Sequence, residues 1–220
     1  MKEYKLLTLF LVLNVSFQIL SDMTAGKIID FFGYGVPVTI IYFPVVYIIS
    51  DAVTEIYGYT KAKRVAQYTL FASVLVACFT QLMWAVPPAY FFENNDAYKT
   101  VFAIVPQVVV GARIAAYFGD MSNNYVLAKI KIWTKGRFLP LRTILSTVVG
   151  ELVDTSIFYV IGLAGIIPTD QLLQGVIVGW ISKTGVEIIL TPFTCLVINW
   201  VKKIEKEDFY DNGTDFNPFN

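Results

Sequence analysis

The sequence predicts an all-α integral membrane protein with six transmembrane helices and both termini in the cytoplasm. Three observations lead there. Of 220 residues, 56% are hydrophobic and only 15% charged, whereas a soluble domain is about one quarter charged. The apolar residues fall into runs of spanning length separated by helix breakers. The basic residues alternate between one side and the other of those runs.

A helix needs roughly 20 apolar residues to cross the ~30 Å hydrocarbon layer. The first run, Leu6 to Leu20, follows lysines as a signal peptide would. Ser21-Asp22-Met23-Thr24 offers no small-x-small cleavage site, and Asn14, Ser16 and Gln18 interrupt the run, so it reads as a retained helix. The second runs from about Val36 to Tyr57, and the third from about Val65 to Val86, stopped by Pro87-Pro88. The fourth starts near Thr100, is apolar to Phe118 and continues in helical pattern past Asn123 to Lys131. After breakers at Gly136 to Pro140 come the fifth, Leu141 to Ile166, and the sixth, about Gln171 to Val201. Pro44, Pro106 and Pro192 fall inside spans, where neighbouring groups satisfy the freed carbonyls.

Charge placement tests the count independently. Lys2 and Lys5 precede the first span; Lys61, Lys63 and Arg64 lie between the second and third. Lys129, Lys131, Lys135, Arg137 and Arg142 lie between the fourth and fifth, and Lys202, Lys203 and Lys206 follow the sixth. The alternate connections hold only Lys27 and Lys99. The positive-inside rule then puts both termini in the cytoplasm. Residues 1–207 form one transmembrane domain and 208–220 a short cytoplasmic tail.

With no histidine, a Ser-His-Asp hydrolase, a histidine-ligated haem and an HExxH zinc protease are excluded. No GxxxxGK[ST] phosphate loop is present, which excludes ATP hydrolysis by that route. Cys78 and Cys195 lie in separate apolar runs and read as lone buried thiols. A formal net charge of zero gives no electrostatic basis for binding nucleic acid. Nothing calls for a cofactor or metal.

The informative residues are the charges that fall within or near the spans: Asp51, Glu55, Arg113, Asp120, Glu151, Asp154, Lys183 and Glu187. Each costs at least about 2.5 kcal/mol at the centre of a lipid-facing helix. Their spacing puts them on shared stripes: Tyr47, Asp51, Thr54, Glu55 and Gly58 on the second helix, Thr147, Glu151, Asp154 and Phe158 on the fifth, and Trp180, Lys183, Thr184, Glu187 and Thr191 on the sixth. Ion pairing of Lys183 with Glu187, and of Arg113 with Asp120 or Asp51, leaves acids over. Unpaired acids inside a membrane mark a functional site, which favours transport over an intramembrane enzyme using paired acids. The acidic clusters Asp51-x-x-x-Glu55 and Glu151-x-x-Asp154 fit an inverted 3+3 repeat with a site between its halves.

Asp51-x-x-x-Glu55-x-Tyr57-Gly58 resembles the DxxxExYG signature of the queuosine-precursor transporters, once grouped as vitamin uptake transporters. The resemblance continues through Gly119-Asp120-x-x-Asn123, Lys131-x-x-x-Lys135-Gly136-Arg137, and Leu141-Arg142-Thr143 to Asp154-Thr155. It then takes in Lys183-x-x-x-Glu187-x-x-x-Thr191-Pro192 and the tail Thr214 to Phe219, and so covers most of the chain from about residue 40. The chain departs at Glu151, where many members have glutamine, and at Asp120, where another acid is usual.

The resemblance implies uptake of 7-cyano-7-deazaguanine, its aminomethyl analogue or queuine. Such a base presents a ring N–H beside an exocyclic amine, and one carboxylate accepts both. Asp51, Glu55, Glu151 and Asp154 are candidates for that contact. Asn123 or Asn124 is placed to donate to the base carbonyl, with Arg142 and Lys183 also in reach and Glu187 completing the set. Trp180, Phe158, Tyr47 and Tyr57 are near enough to stack. A substrate-binding subunit for another vitamin, energised by a separate ATPase, stands as the alternative. A bundle this small is compatible with a homo-oligomer.

Overall fold

The structure, a computed structural model, describes residues 4–24, 27–31, 34–102, 106–165 and 168–217. Helix α1 (Leu7–Thr24) leads into an antiparallel hairpin of β1 (Ile28–Phe31) and β2 (Tyr34–Pro37), pairing Ile28 with Pro37 and Phe31 with Tyr34. A 3-10 turn (Val38–Ile41) follows, then α2 (Phe43–Tyr57), α3 (Tyr59–Ala85) and a short α4 (Asn95–Phe102). The remainder is α5 (Pro106–Trp133), α6 (Leu139–Ile157) running on as a π-turn (Phe158–Gly162), and α7 (Thr169–Glu205).

Four of these segments are long and apolar enough to cross a membrane: Leu7–Thr24, Tyr59–Ala85, Leu139–Gly162 and Leu172–Glu205. The second expected span differs from the sequence prediction. Val36 belongs to a strand and the helix proper begins only at Phe43, so α2 has 15 residues, about 22 Å at 1.5 Å per residue. The β-branched run Val36, Val38, Thr39, Ile40 and Ile41 suits extended or tight backbone better than helix. Pro44 stands in the first turn of α2 and Pro106 opens α5, where a missing N–H costs nothing. Only Pro192 lies inside its helix. The expected end of the fifth span, Ile166, lies outside the described residues.

The packing is inverted relative to a soluble protein. Helix α2 is buried along nearly its whole length, and α1, α3, α5 and α7 pack around it. Large apolar side chains face outward instead, among them Phe71, Phe79 and Leu82 of α3 and Ile189, Phe193 and Leu196 of α7. Polar groups inside and apolar groups outside suit a lipid solvent. Helices α5 and α6 meet closely because both carry glycine at the crossing: a Cβ on Gly150 would stand 2.7 Å from Cβ of Asn123, and one on Gly119 2.7 Å from Cβ of Asp154. Small residues at such crossings let membrane helices approach backbone to backbone.

Candidate functional site

Buried charge gathers in two layers. The first lies at the end of the bundle where Tyr57, Trp133, Leu139 and Glu205 terminate their helices. Glu55, fully buried, accepts hydrogen bonds from Arg142 Nη2 (2.6 Å) and Lys202 Nζ (2.7 Å), with Lys131 Nζ at 3.4 Å. Lys131 and Lys202 also pair with Asp208, at 2.5 and 2.7 Å. A second carboxylate, Glu205, accepts from the Tyr57 hydroxyl (3.0 Å) and from the backbone N–H of Leu6 (2.6 Å).

The tail is stitched over this end. Phe209 N–H donates to the Ile56 carbonyl (3.1 Å), and Asp211 accepts from Tyr59 N–H at the start of α3 (3.1 Å). A carboxylate there favours the helix dipole. Phe216 packs on Tyr59 and Tyr125, with Lys129 Nζ 3.9 Å from its ring centre. The connection from α2 to α3 turns at Gly58, whose φ of +86° suits glycine, and a Cβ there would meet Phe209 at 2.3 Å.

The second layer lies deeper, where α2, α5, α6 and α7 meet. Asn123 Nδ2 donates to Asp51 (2.7 Å), which leaves the Asn123 carbonyl oxygen unpartnered among the described residues. Asn124 Oδ1 takes Ser50 Oγ (3.0 Å) and Thr54 Oγ1 (2.8 Å), leaving its amide nitrogen without a partner. Lys183 pairs with Asp154 (2.5 Å) and stands 3.2 Å from Glu151, yet neither oxygen of Glu151 receives a directed hydrogen bond. Tyr47 and Asp120 lie in the electrostatic neighbourhood of Glu151 and Asp154, and Glu187 in that of Asp51 and Glu151. Phe43, one turn from Tyr47 and in edge contact with it, has Lys183 Nζ 5.7 Å from its ring centre.

The nine residues picked from the sequence therefore divide. Asp51, Asn123, Asn124, Glu151, Asp154, Lys183 and Glu187 share the deeper layer. Glu55 and Arg142 engage each other in the end layer. The expected pairings differ too: Arg113 pairs with Asp22 of α1 and donates to Ser73 (3.2 Å), and Lys183 turns to α6 rather than to Glu187. Trp180 donates its indole N–H to the Val148 carbonyl (2.9 Å), fastening α7 to α6. Sequence inspection missed Phe43, which its place one turn before Tyr47 on the same stripe would have supplied.

The deeper layer holds Asp51, Asp120, Glu151, Asp154 and Glu187 around a single lysine, with both donor and acceptor atoms left over. Burying such atoms costs about 1–3 kcal/mol each unless something pairs with them. Residues 37–197, which contain all of it, match the family described as "Putative vitamin uptake transporter". A Bacillus subtilis (strain 168) protein named "Probable queuosine precursor transporter" is 28% identical over 175 residues, 79% of this chain and 76% of that protein. No solved structure matches.

Proposed function

The chain belongs to the family described as "Putative vitamin uptake transporter", and from that membership we propose that it carries queuosine precursors, 7-deazaguanine bases, across the bacterial inner membrane without altering them. The observation that carries the proposal is the pair of buried amide atoms, Asn123 Oδ1 and Asn124 Nδ2, that have no partner among the described residues. A 7-deazaguanine offers a ring N–H and an amine to a carboxylate, and a carbonyl to an amide N–H. Asp154, with Glu151 one turn before it on α6, supplies the carboxylate; Asn124 Nδ2 supplies the donor; Asn123 Oδ1 accepts a further N–H. Phe43 and Tyr47 stand on the same stripe as flat surfaces for the ring. Lys183 holds Asp154 and Glu151 in place through its ion pairs.

Six passes with both termini cytoplasmic belong to the same proposal. In support, the Glu55–Arg142 contact joins the last turn of α2 to the first turn of α6, so these acid-bearing helices run in opposite directions, as an inverted repeat requires. Arg142, Lys131, Lys202 and Lys61 all collect at the end that carries the tail.

The test is direct binding of 7-cyano-7-deazaguanine, queuine and guanine to purified protein, beside Asp154→Asn and Asn124→Asp. Loss of a charge-assisted hydrogen bond, about 1.5–3 kcal/mol, weakens binding roughly ten- to hundredfold. Deazaguanine binding that both folded variants retain unchanged refutes the site, and failure of all three bases to bind refutes the ligand class.

A further inference from the structure

Glu187 shares the deeper layer, but the reading above gives it no contact with the base. It sits midway along α7, 5% exposed, with Oε1 unpartnered among the described residues. The charged groups facing it are acids: Asp51 from α2 and Glu151 from α6. The π-turn brings Tyr159, but against Gly175 and Gly179, about two turns or more away along α7. On its own helix Lys183, one turn back, is engaged by Asp154 and Glu151. Thus no cation stands by to compensate a Glu187 anion among the described residues, and leaving a buried anion uncompensated costs several kcal/mol. A cation from outside must neutralise it. The described acids form no group of three placed to ligate a metal ion, and a proton needs only one oxygen.

The backbone just after Glu187 is the weakest stretch of α7. Thr191 Oγ1 turns back onto the Glu187 carbonyl (2.9 Å), and Pro192 lies inside the helix. Proline supplies no N–H for the carbonyl of Ile188, so α7 bends most easily within one turn of Glu187.

We propose that Glu187 is the proton-binding group of the transport cycle. It takes a proton on Oε1 while the site is open to the acidic side and releases it to water on the other, with a bend at Pro192 linking that exchange to movement of α7. The proposal rests on the transport reading above. In proteoliposomes, wild-type protein loaded with unlabelled 7-aminomethyl-7-deazaguanine exchanges it for labelled base without any ion gradient. An acid-outside gradient then drives accumulation several-fold above equilibrium, and a sodium gradient does not.

Glu187→Gln lowers the pH-driven accumulation by a much larger factor than it lowers the exchange, while Glu187→Asp keeps part of the accumulation. A luminal pH dye in wild-type vesicles reports acidification during influx, which tests the idea even where the glutamine variant fails to fold. Undiminished pH-driven accumulation by a folded Glu187→Gln protein, driving by sodium, or influx with no luminal acidification each overturns the proposal. Absence of exchange by wild type instead overturns the ligand reading, and this inference with it.

Discussion

Removing Glu55 destabilises the protein about twice as much as removing Arg142, although the two are partners in one ion pair. Both are fully buried and 2.6 Å apart. Arg142→Gln takes one charge-assisted hydrogen bond from Glu55, worth about 1.5–3 kcal/mol, but Lys202 at 2.7 Å and Lys131 at 3.4 Å still compensate the carboxylate. Glu55→Gln is worse, because the remaining partner given for the Arg142 guanidinium is the backbone carbonyl of Arg137. An uncompensated buried charge of this kind costs about 3–5 kcal/mol. At about 2–4 °C per kcal/mol for a protein of this size, central values are a fall in Tm of about 12 °C for Glu55→Gln and about 7 °C for Arg142→Gln. The double variant Glu55→Leu/Arg142→Met recovers much of the loss, since neither charge is left alone. Thermal unfolding in detergent, read alongside deazaguanine binding to the folded fraction, is the assay. A Glu55→Gln protein with wild-type Tm and no binding refutes the reasoning and makes Glu55 a ligand contact.

Three further outcomes follow from the same geometry. Gly150→Ala drives a methyl group to 2.7 Å from Cβ of Asn123; such overpacking costs about 1–3 kcal/mol, and parting α5 from α6 weakens base binding, both measured on one sample by unfolding and titration. Gly58→Ala combines a φ of +86° with a 2.3 Å clash on Phe209, so the tail is displaced and trypsin removes it faster than from wild type. Burial pushes the half-exposed Asp208 carboxyl up, but the hydrogen bonds and charges of Lys131 and Lys202 outweigh it and hold the carboxyl below its ordinary range. Its folded value thus lies under the unfolded one, about 3.9, so its modest contribution is complete above that value and lost as pH falls through the folded value. Protection of the tail from an acid-active protease is therefore constant from about pH 7 to 5 and declines below about pH 4, whereas Asp208→Asn shows no such decline.

Composition carried the lipid-facing helices because length and apolarity alone identify them: α1, α3, α6 and α7 each answer to an expected span. The hairpin was not legible. Its second strand opens the apolar run from Val36 to Ile41, and over so few residues periodicity does not separate strand from helix. The faces that carry charge were legible from i, i+3 and i+4 spacing, but the partners were not. Spacing orders residues along one helix and is silent on which helix stands opposite. Asp22 meets Arg113 from 91 positions away, and Lys202 meets Glu55 from 147. Once those partners are known, the surplus of acids falls in the deeper layer, where Lys183 is the one cation left among the described residues.

The DxxxExYG signature then divides between the two layers. Asp51 holds Asn123 in the deeper layer. Glu55 anchors the ion cluster, Tyr57 donates to Glu205, and Gly58 makes the turn against which Phe209 packs. Three of the four therefore organise the end of the bundle, and their partners Lys202, Glu205, Asp208 and Phe209 lie beyond residue 197, where the family match stops. Asp51 and Glu55 are one turn apart on a buried helix, so α2 behaves as a rod with one end in each layer. Any displacement of Asp51 is thus passed to Glu55 across a single turn of helix.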